Sequence, residues 1–273
     1  MLLVASVDVG SATTKGIILN EERRVLGRAV AKTGSDLAGA GQRAYDQALA
    51  AASIGEQEVA YVASTGFGRY TVPFRDVQIT ELTAHARGAI ALFPNTRTVL
   101  DIGAQSTRAI KVAENGRVIA FRMNDKCAAG AGAFLVRAAR YLELSIDEIG
   151  PLSCQSKSPQ PISSVCAVLA ESEIINHVTA GIGVEDILKG CHISIITRAL
   201  PLLKRAGYEP ELTLTGGTGK NVGLVQAVEE QLRTKVNVSP ETEFVGALGA
   251  ALLALDRAIK LRLQGALPRL AVA

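Results

Sequence analysis

The chain has 273 residues, 48% of them hydrophobic and 20% charged, which is enough apolar content for one large or two modest cores and too much for a disordered chain. Its 29 basic and 26 acidic residues leave a formal net charge of +3 with no basic run, and aromatics are 4% with no Trp, so neither the electrostatic footprint of a nucleic-acid binder nor a base-stacking platform is indicated. No apolar run approaches the roughly 18–20 residues of a bilayer span, and the start, MLLVASVDVG, lacks a basic leader region; the expectation is a soluble cytoplasmic protein with reduced cysteines and neither nucleic acid nor membrane as partner.

The β-branched residues of MLLVASVDV predict a first strand, followed by the turn Asp8-x-Gly10 with small hydroxyl residues and a second strand, TTKGIIL. The same pattern returns further on. VDVGSATTKGIIL (7–19) aligns with LDIGAQSTRAIKV (100–112) at a constant offset of 93, placing Asp8 over Asp101, Gly10 over Gly103, Thr14 over Thr107 and Lys15 over Arg108. Arg24, Val25 and Leu26 likewise fall over Arg117, Val118 and Ile119, beyond second turns at NEER and ENGR. A duplicated hairpin unit predicts two related subdomains, one over 1–92 with a returning helix at 246–263, the other over 93–245.

In each turn Gly lets the backbone approach an anion, the hydroxyls of Ser11, Thr13 and Thr14 or of Ser106 and Thr107 can donate to phosphate oxygens, and Asp8 or Asp101 can hold a metal ion or its water. One such turn is ordinary hairpin chemistry. Two at a fixed offset point to a shared cleft.

Next along the chain come two cysteine stretches. Cys127, in NDKCAAGAGAFL, precedes a helix predicted to have the apolar stripe Phe134, Leu135, Ala138 and Leu142. Cys166, in SSVCAVLAESEIINH, follows a candidate N-cap, Ser164, and opens a helix expected to turn Val168, Leu169 and Ile175 inward, with His177 closing it. The partial positive charge at a helix start lowers a thiol pKa and favours a thiolate ligand. Cys154, in a polar stretch, reads as an incidental thiol and Cys191, in GCHISIITRAL, as a small buried hydrophobe. His85, His177 and His192 stand singly without zinc-site spacing.

ELTLTGGTGKN (211–221) predicts a strand ending at Thr215 and a helix from Val222 to Leu232. Gly216 and Gly217 between them suit either a βα turn with positive φ or a backbone pressed against a nucleotide's sugar and base. GALGAALLALDRAIKL predicts a small-residue helix packed in the core, and the tail from about Gln264, with Pro268, is expected to fray.

In this order and spacing DVGSATTK, DIGAQST and LTGGTG resemble the two phosphate loops and the adenosine loop of the actin, Hsp70 and sugar-kinase superfamily. That implies an α/β, duplicated actin/Hsp70/hexokinase-like (ribonuclease H-like) ATPase fold with two subdomains around a nucleotide cleft. STGFGR, the two cysteine stretches and the ALGAAL helix add a closer resemblance over residues 3–260 to the BadF/BadG/BcrA/BcrD/HgdC family, the ATPase subunits of benzoyl-CoA reductase and the activators of 2-hydroxyacyl-CoA dehydratases.

The resemblance implies ATP with Mg2+ in the cleft. Asp8, Gly10, Ser11, Thr13, Thr14 and Lys15 would surround the terminal phosphates. Asp101 and Gln105, with Gly103, Ser106 and Thr107, would lie near the metal and the attacking water, and Gly216, Gly217 and Thr218 along the adenosine. It also implies Cys127 and Cys166 as this chain's ligands to one 4Fe-4S cluster shared with a second homologous ATPase subunit. A ferredoxin-like donor would supply the electron, and substrate-binding acyl-CoA reductase subunits would receive it. The second turn carries Ala104 and Ser106 where dehydratase activators usually read DIGGQD. DIGAQSTRAI and CAAGAGAFLVRAARYL resemble more closely the smaller ATPase subunit (BcrD/BadG type) of class I benzoyl-CoA reductase, which is the expectation. A homodimeric ATP-dependent activator of a 2-hydroxyacyl-CoA dehydratase is the alternative, and a sugar-kinase-like or actin-like ATPase without a cluster the third.

Overall fold

The computed structural model describes residues 1–124, 131–164 and 166–267. The duplicated hairpins form in both halves. β1 (Leu3–Val9), β2 (Thr13–Asn20) and β3 (Val25–Lys32) make an antiparallel meander, and β6 (Thr98–Ile102), β7 (Thr107–Val112) and β8 (Val118–Asn124) make another. On its other side β1 takes a parallel partner, β4 (Val59–Thr65), just as β6 takes β9 (Leu212–Thr215). With the short β5 (Val77–Gln78) and β10 (Asn237–Val238), the sheet orders are β3-β2-β1-β4-β5 and β10-β9-β6-β7-β8.

The described residues also form α1 (Leu37–Ala52), α2 (Glu81–Leu92), α3 (Gly132–Tyr141), α4 (Ile149–Ser153), α5 (Ala167–Thr179), α6 (Val184–Ala206), α7 (Val222–Leu232) and α8 (Val245–Leu263). They divide into two compact units, one of Met1–Pro94, Asn115–Arg117 and the chain from Phe244 on, the other of Asn95–Glu114 and Val118–Glu243.

In the first unit the period-two alternation of a strand decides which side chain meets which helix. Ala5, Val7 and Val9 of β1 pack with Ile18, Tyr45 and Ala48 on the α1 face, whereas Leu2 and Val4 join Ala84, Ala247 and Ala250 on the α2 and α8 face. Ser6 and Asp8 therefore point toward α8, where the Ser6 hydroxyl donates to the Ala247 carbonyl at 2.7 Å. α2 and α8 meet backbone to backbone, since a Cβ on Gly88 would lie 2.0 Å from the Val245 carbonyl oxygen and one on Gly249 only 1.8 Å from that of Ala84.

In the second unit one core joins Leu100, Ile102 and Leu214 of the sheet to Phe134 and Leu135 of α3, Ile149 of α4, Ile187 and Ile195 of α6 and Leu224 of α7. α6 begins on Glu185 and Asp186 and ends on Lys204 and Arg205 before Gly207 at φ 83°, the charge order and C-terminal glycine that the helix dipole and the left-handed cap favour.

Three expectations change. The residue capping α5 is Cys166 itself, in an extended conformation with no side-chain hydrogen bond, and not Ser164. Val168, Leu169 and Ile175 point outward, 67%, 53% and 48% exposed, while Ala170 and Ile174 are buried; apolar residues lie all round this helix and only one narrow face finds a core. Up to Leu267 the chain is ordered past Gln264, because the Ala266 amide bonds the Leu261 carbonyl and Leu267 is buried in the core that β1, α2 and α8 share; the rest of the tail, from Pro268, lies outside the described residues. Among the described residues no helix is long and apolar enough to cross a membrane.

Candidate functional site

The first turn runs from Gly10 to Thr13. Its shape is held by Thr33, a buried residue just past β3: the Thr33 hydroxyl donates to the Gly10 carbonyl at 2.8 Å and its amide to that of Ala12 at 3.0 Å. Thr14 is buried with its hydroxyl 2.9 Å from that of Thr33, so it braces the turn from within. Gly10, Ser11 and Thr13 remain partly open. Lys15 faces Asp8 across the β1–β2 register and its ammonium donates to the Thr13 carbonyl at 3.3 Å. Asp8, Lys15 and the Ser11 and Thr13 hydroxyls thus share one end of the sheet, a set of donors and one carboxylate that suits a magnesium-bound phosphate chain.

The second turn, Gly103 to Ser106, closes with the Gly103 amide on the Ser106 carbonyl at 2.9 Å, and Gln105 is exposed at its tip. Asp101 behaves differently from Asp8. Arg108 donates to its Oδ2 at 2.6 Å and the Thr215 hydroxyl to its Oδ1 at 3.3 Å, all three groups being buried. With both oxygens engaged, Asp101 ties β6, β7 and β9 together. Thr107, buried beside it, faces inward as Thr14 does.

The glycine loop after β9 belongs to the same construction. The Thr218 hydroxyl donates to the Ile102 carbonyl at 2.6 Å, and Gly216 has φ 91° with its α-carbon so close to that carbonyl that a Cβ would lie 2.4 Å from the oxygen. Only glycine fits both constraints. Gly217 has open space where its side chain would be, which leaves its backbone available to a flat ligand.

One further pair escaped the sequence reading. Thr65-Gly66 follows β4 as Thr215-Gly216 follows β9; Asp8 is in register with Thr65 as Asp101 is with Thr215, and Gly66 has φ 90° with a Cβ position 2.5 Å from Asp8 Oδ1. The signal was the repeated Thr-Gly at the end of the parallel strand. It was hidden because α3 to α6 lengthen the second copy and break the constant offset. The Thr65 hydroxyl is buried without a hydrogen-bond partner among the described residues, so the Asp8 side lacks the clamp that Asp101 has.

Of the two proposed cluster ligands, Cys127 lies outside the described residues. Cys166 is half-buried at the start of α5, where the first-turn amides lack intrahelical acceptors. A thiol at a helix start is the kind of side chain that iron-sulfur ligation uses. Cys154 is exposed at the end of α4. Cys191 is buried in the α6 core, and desolvation pushes its thiol up to about 12. His192 is also desolvated, with its pKa pushed down to about 3 and its Nδ1 2.8 Å from the Ser153 hydroxyl. It stays neutral and packs the core.

The model of the BadF/BadG/BcrA/BcrD ATPase family matches residues 6–254. The activator of lactoyl-CoA dehydratase from Anaerotignum propionicum is 42% identical over 93% of this chain and 98% of its own. A benzoyl-CoA reductase subunit from Thauera aromatica is 38% identical over 97% of each. Among solved structures, the activator of the 2-hydroxyisocaproyl-CoA dehydratase from Clostridium difficile with bound ADPNP superposes with a TM-score of 0.92 at 35% identity, over 96% of this chain and 98% of that one. Spiroplasma citri MreB 5, at 12% identity and a TM-score of 0.55 over 97% of this chain and 99% of that one, shares the fold alone. The fold is the duplicated α/β ATPase fold of the actin and hexokinase group.

Proposed function

The chain belongs to the BadF/BadG/BcrA/BcrD ATPase family, and on that footing we propose that it is a homodimeric, ATP-hydrolysing activator that delivers a low-potential electron to a 2-hydroxyacyl-CoA dehydratase. The observation that carries this is 42% identity over nearly the whole chain to one such activator, supported by the close backbone likeness to another. It replaces the reductase component as the first reading. That second reading keeps two observations in its favour, Ala104 and Ser106 in the second turn and the 38% identity to the Thauera aromatica reductase component.

In this reading Lys15 and the hydroxyls of Ser11 and Thr13 bind the terminal phosphates of ATP, and Asp8 takes a place beside the Mg2+ ion. Gln105 orients the water that attacks the γ-phosphorus as the bond to the bridging oxygen breaks. Asp101, held by Arg108 and Thr215, keeps the second turn and the Gly216-Gly217 loop in one geometry for the adenosine. Cys127 and Cys166 hold half the ligand set of a 4Fe-4S cluster whose other half comes from a second copy. When bound, that cluster supplies one-electron chemistry at low potential. A ferredoxin-like protein is the donor, and the acyl-CoA substrate binds the dehydratase and not this chain.

The deciding experiment is iron and acid-labile sulfide per chain after anaerobic purification, with the state of association. About four irons per two chains, lost in Cys127→Ser and Cys166→Ser and kept in Cys154→Ser and Cys191→Ser, in a free homodimer that hydrolyses ATP, is the expected result. A stable complex with unlike subunits would move the reading to the reductase. Iron-free wild-type protein that still binds ATP would overturn both and leave a kinase-like or actin-like ATPase.

A further inference from the structure

α3 is joined to the second turn at its first residues. The Gly132 and Ala133 amides donate to the Gly103 and Ala104 carbonyls at 2.9 and 2.8 Å. These amides are among the donors a helix start leaves without intrahelical acceptors, so the carbonyls of the turn complete the helix. α3 is then seated firmly by Phe134, Leu135, Ala138 and Ala139, all buried.

α5 is not seated in that way. Over its 13 residues it buries only Ala170 and Ile174, and one large buried side chain is worth about 1.5–3 kcal/mol. What else holds it to α3 is Glu171. Arg137 Nε bonds one carboxylate oxygen and the Tyr141 hydroxyl donates to the other at 3.1 Å. Arg137 and Tyr141 are four residues apart on α3 and therefore stand one above the other, and the Glu171 side chain between them is only 17% exposed. The bond to the carboxylate holds the Tyr141 phenol above its ordinary range. Glu171 lies five residues beyond Cys166, and Glu173 of the same helix accepts the Ser163 amide from the segment leading into that cysteine.

We propose that Glu171 is a positioning residue, the joint that makes α5 and with it Cys166 follow α3 and the second turn. The inference rests on the nucleotide reading of that turn. A competing hold exists, because the Ser194 hydroxyl of α6 donates to the Ser163 carbonyl at 3.0 Å, and the experiment separates the two.

Amide hydrogen exchange on the full chain, with and without Mg-ADPNP, needs no cluster. In the wild type the nucleotide is expected to slow exchange at 103–107, at 132–141 and, by about 10-fold, at 167–179. Glu171→Gln is expected to keep the first two responses and bring the third within about 2-fold of no change. The charge-reversed pair Arg137→Glu with Glu171→Arg is expected to restore much of it, which simple loosening of the fold would not do. If α5 of Glu171→Gln responds as in the wild type, α6 is the hold and the proposal falls. It falls equally if α3 loses its response together with α5. No response at 103–107 in the wild type would overturn the nucleotide reading itself and this inference with it.

Discussion

Asp8 and Asp101 sit at the same register position of their sheets, each opposite a basic residue and beside a Thr-Gly turn, yet they have different work. The planar guanidinium of Arg108 reaches the Asp101 carboxylate directly, whereas the Lys15 ammonium is turned to a carbonyl of its own turn. Arg offers a fixed fork and Lys a mobile point charge, so the first copy keeps a carboxylate and an ammonium available to a ligand while the second commits its pair to structure. Arg108→Ala should strand Asp101 as a buried charge at a cost of about 3–5 kcal/mol, lowering the melting temperature by on the order of 10 °C for a chain of this size. Lys15→Ala should cost about 1 kcal/mol of stability or less and abolish ATP hydrolysis. Thermal melts beside a phosphate-release assay decide the matter, and equal melting losses in the two variants would refute the division of roles.

At the scale of elements, α2 and α8 are set by two glycines. Inside a helix, Gly→Ala ordinarily gains about 1 kcal/mol from propensity. At Gly249 the new methyl would stand 1.8 Å from the Ala84 carbonyl oxygen, a backbone atom that cannot swing aside, and overpacking of this kind costs about 1–3 kcal/mol. The steric effect should win, so Gly249→Ala is expected to lower the denaturant midpoint; an unchanged or raised midpoint would mean the helices part freely. The hairpins were legible because β-branched alternation and Asp-x-Gly turns are local signals, and so were α7 and the turn at Gly216. The direction of α5 was not, since Val168, Leu169, Ala170, Ile174 and Ile175 mark two faces as apolar and only tertiary packing chooses between them. For the same reason Thr33, whose hydroxyl shapes the first turn from just past β3, carries no signal of its role, and Asp101 could be placed at the turn but not seen to be clamped.

For the whole molecule, the choice of packed face leaves an unusual surface. Val168, Leu169, Ile175 and Val178 of α5 are exposed, with Val136 and Tyr141 of α3 in the same state, next to a cysteine whose proposed cluster is completed by another chain. Apolar surface gathered at one place on a domain marks an association site, and a two-fold interface would present the same face from both copies. If α5 forms that interface, Leu169→Glu puts a carboxylate where apolar contact is required. It should weaken self-association by about 100-fold, the equivalent of about 2.7 kcal/mol. Leu169 is 53% exposed, so the variant should fold and bind Mg-ATP as the wild type does. Iron content should fall with dimer content if, as proposed, each chain supplies Cys127 and Cys166 and the cluster needs both copies. Anaerobic sedimentation equilibrium with iron analysis on the same samples reads both quantities. A dimer of wild-type strength that still holds its iron would place the interface elsewhere.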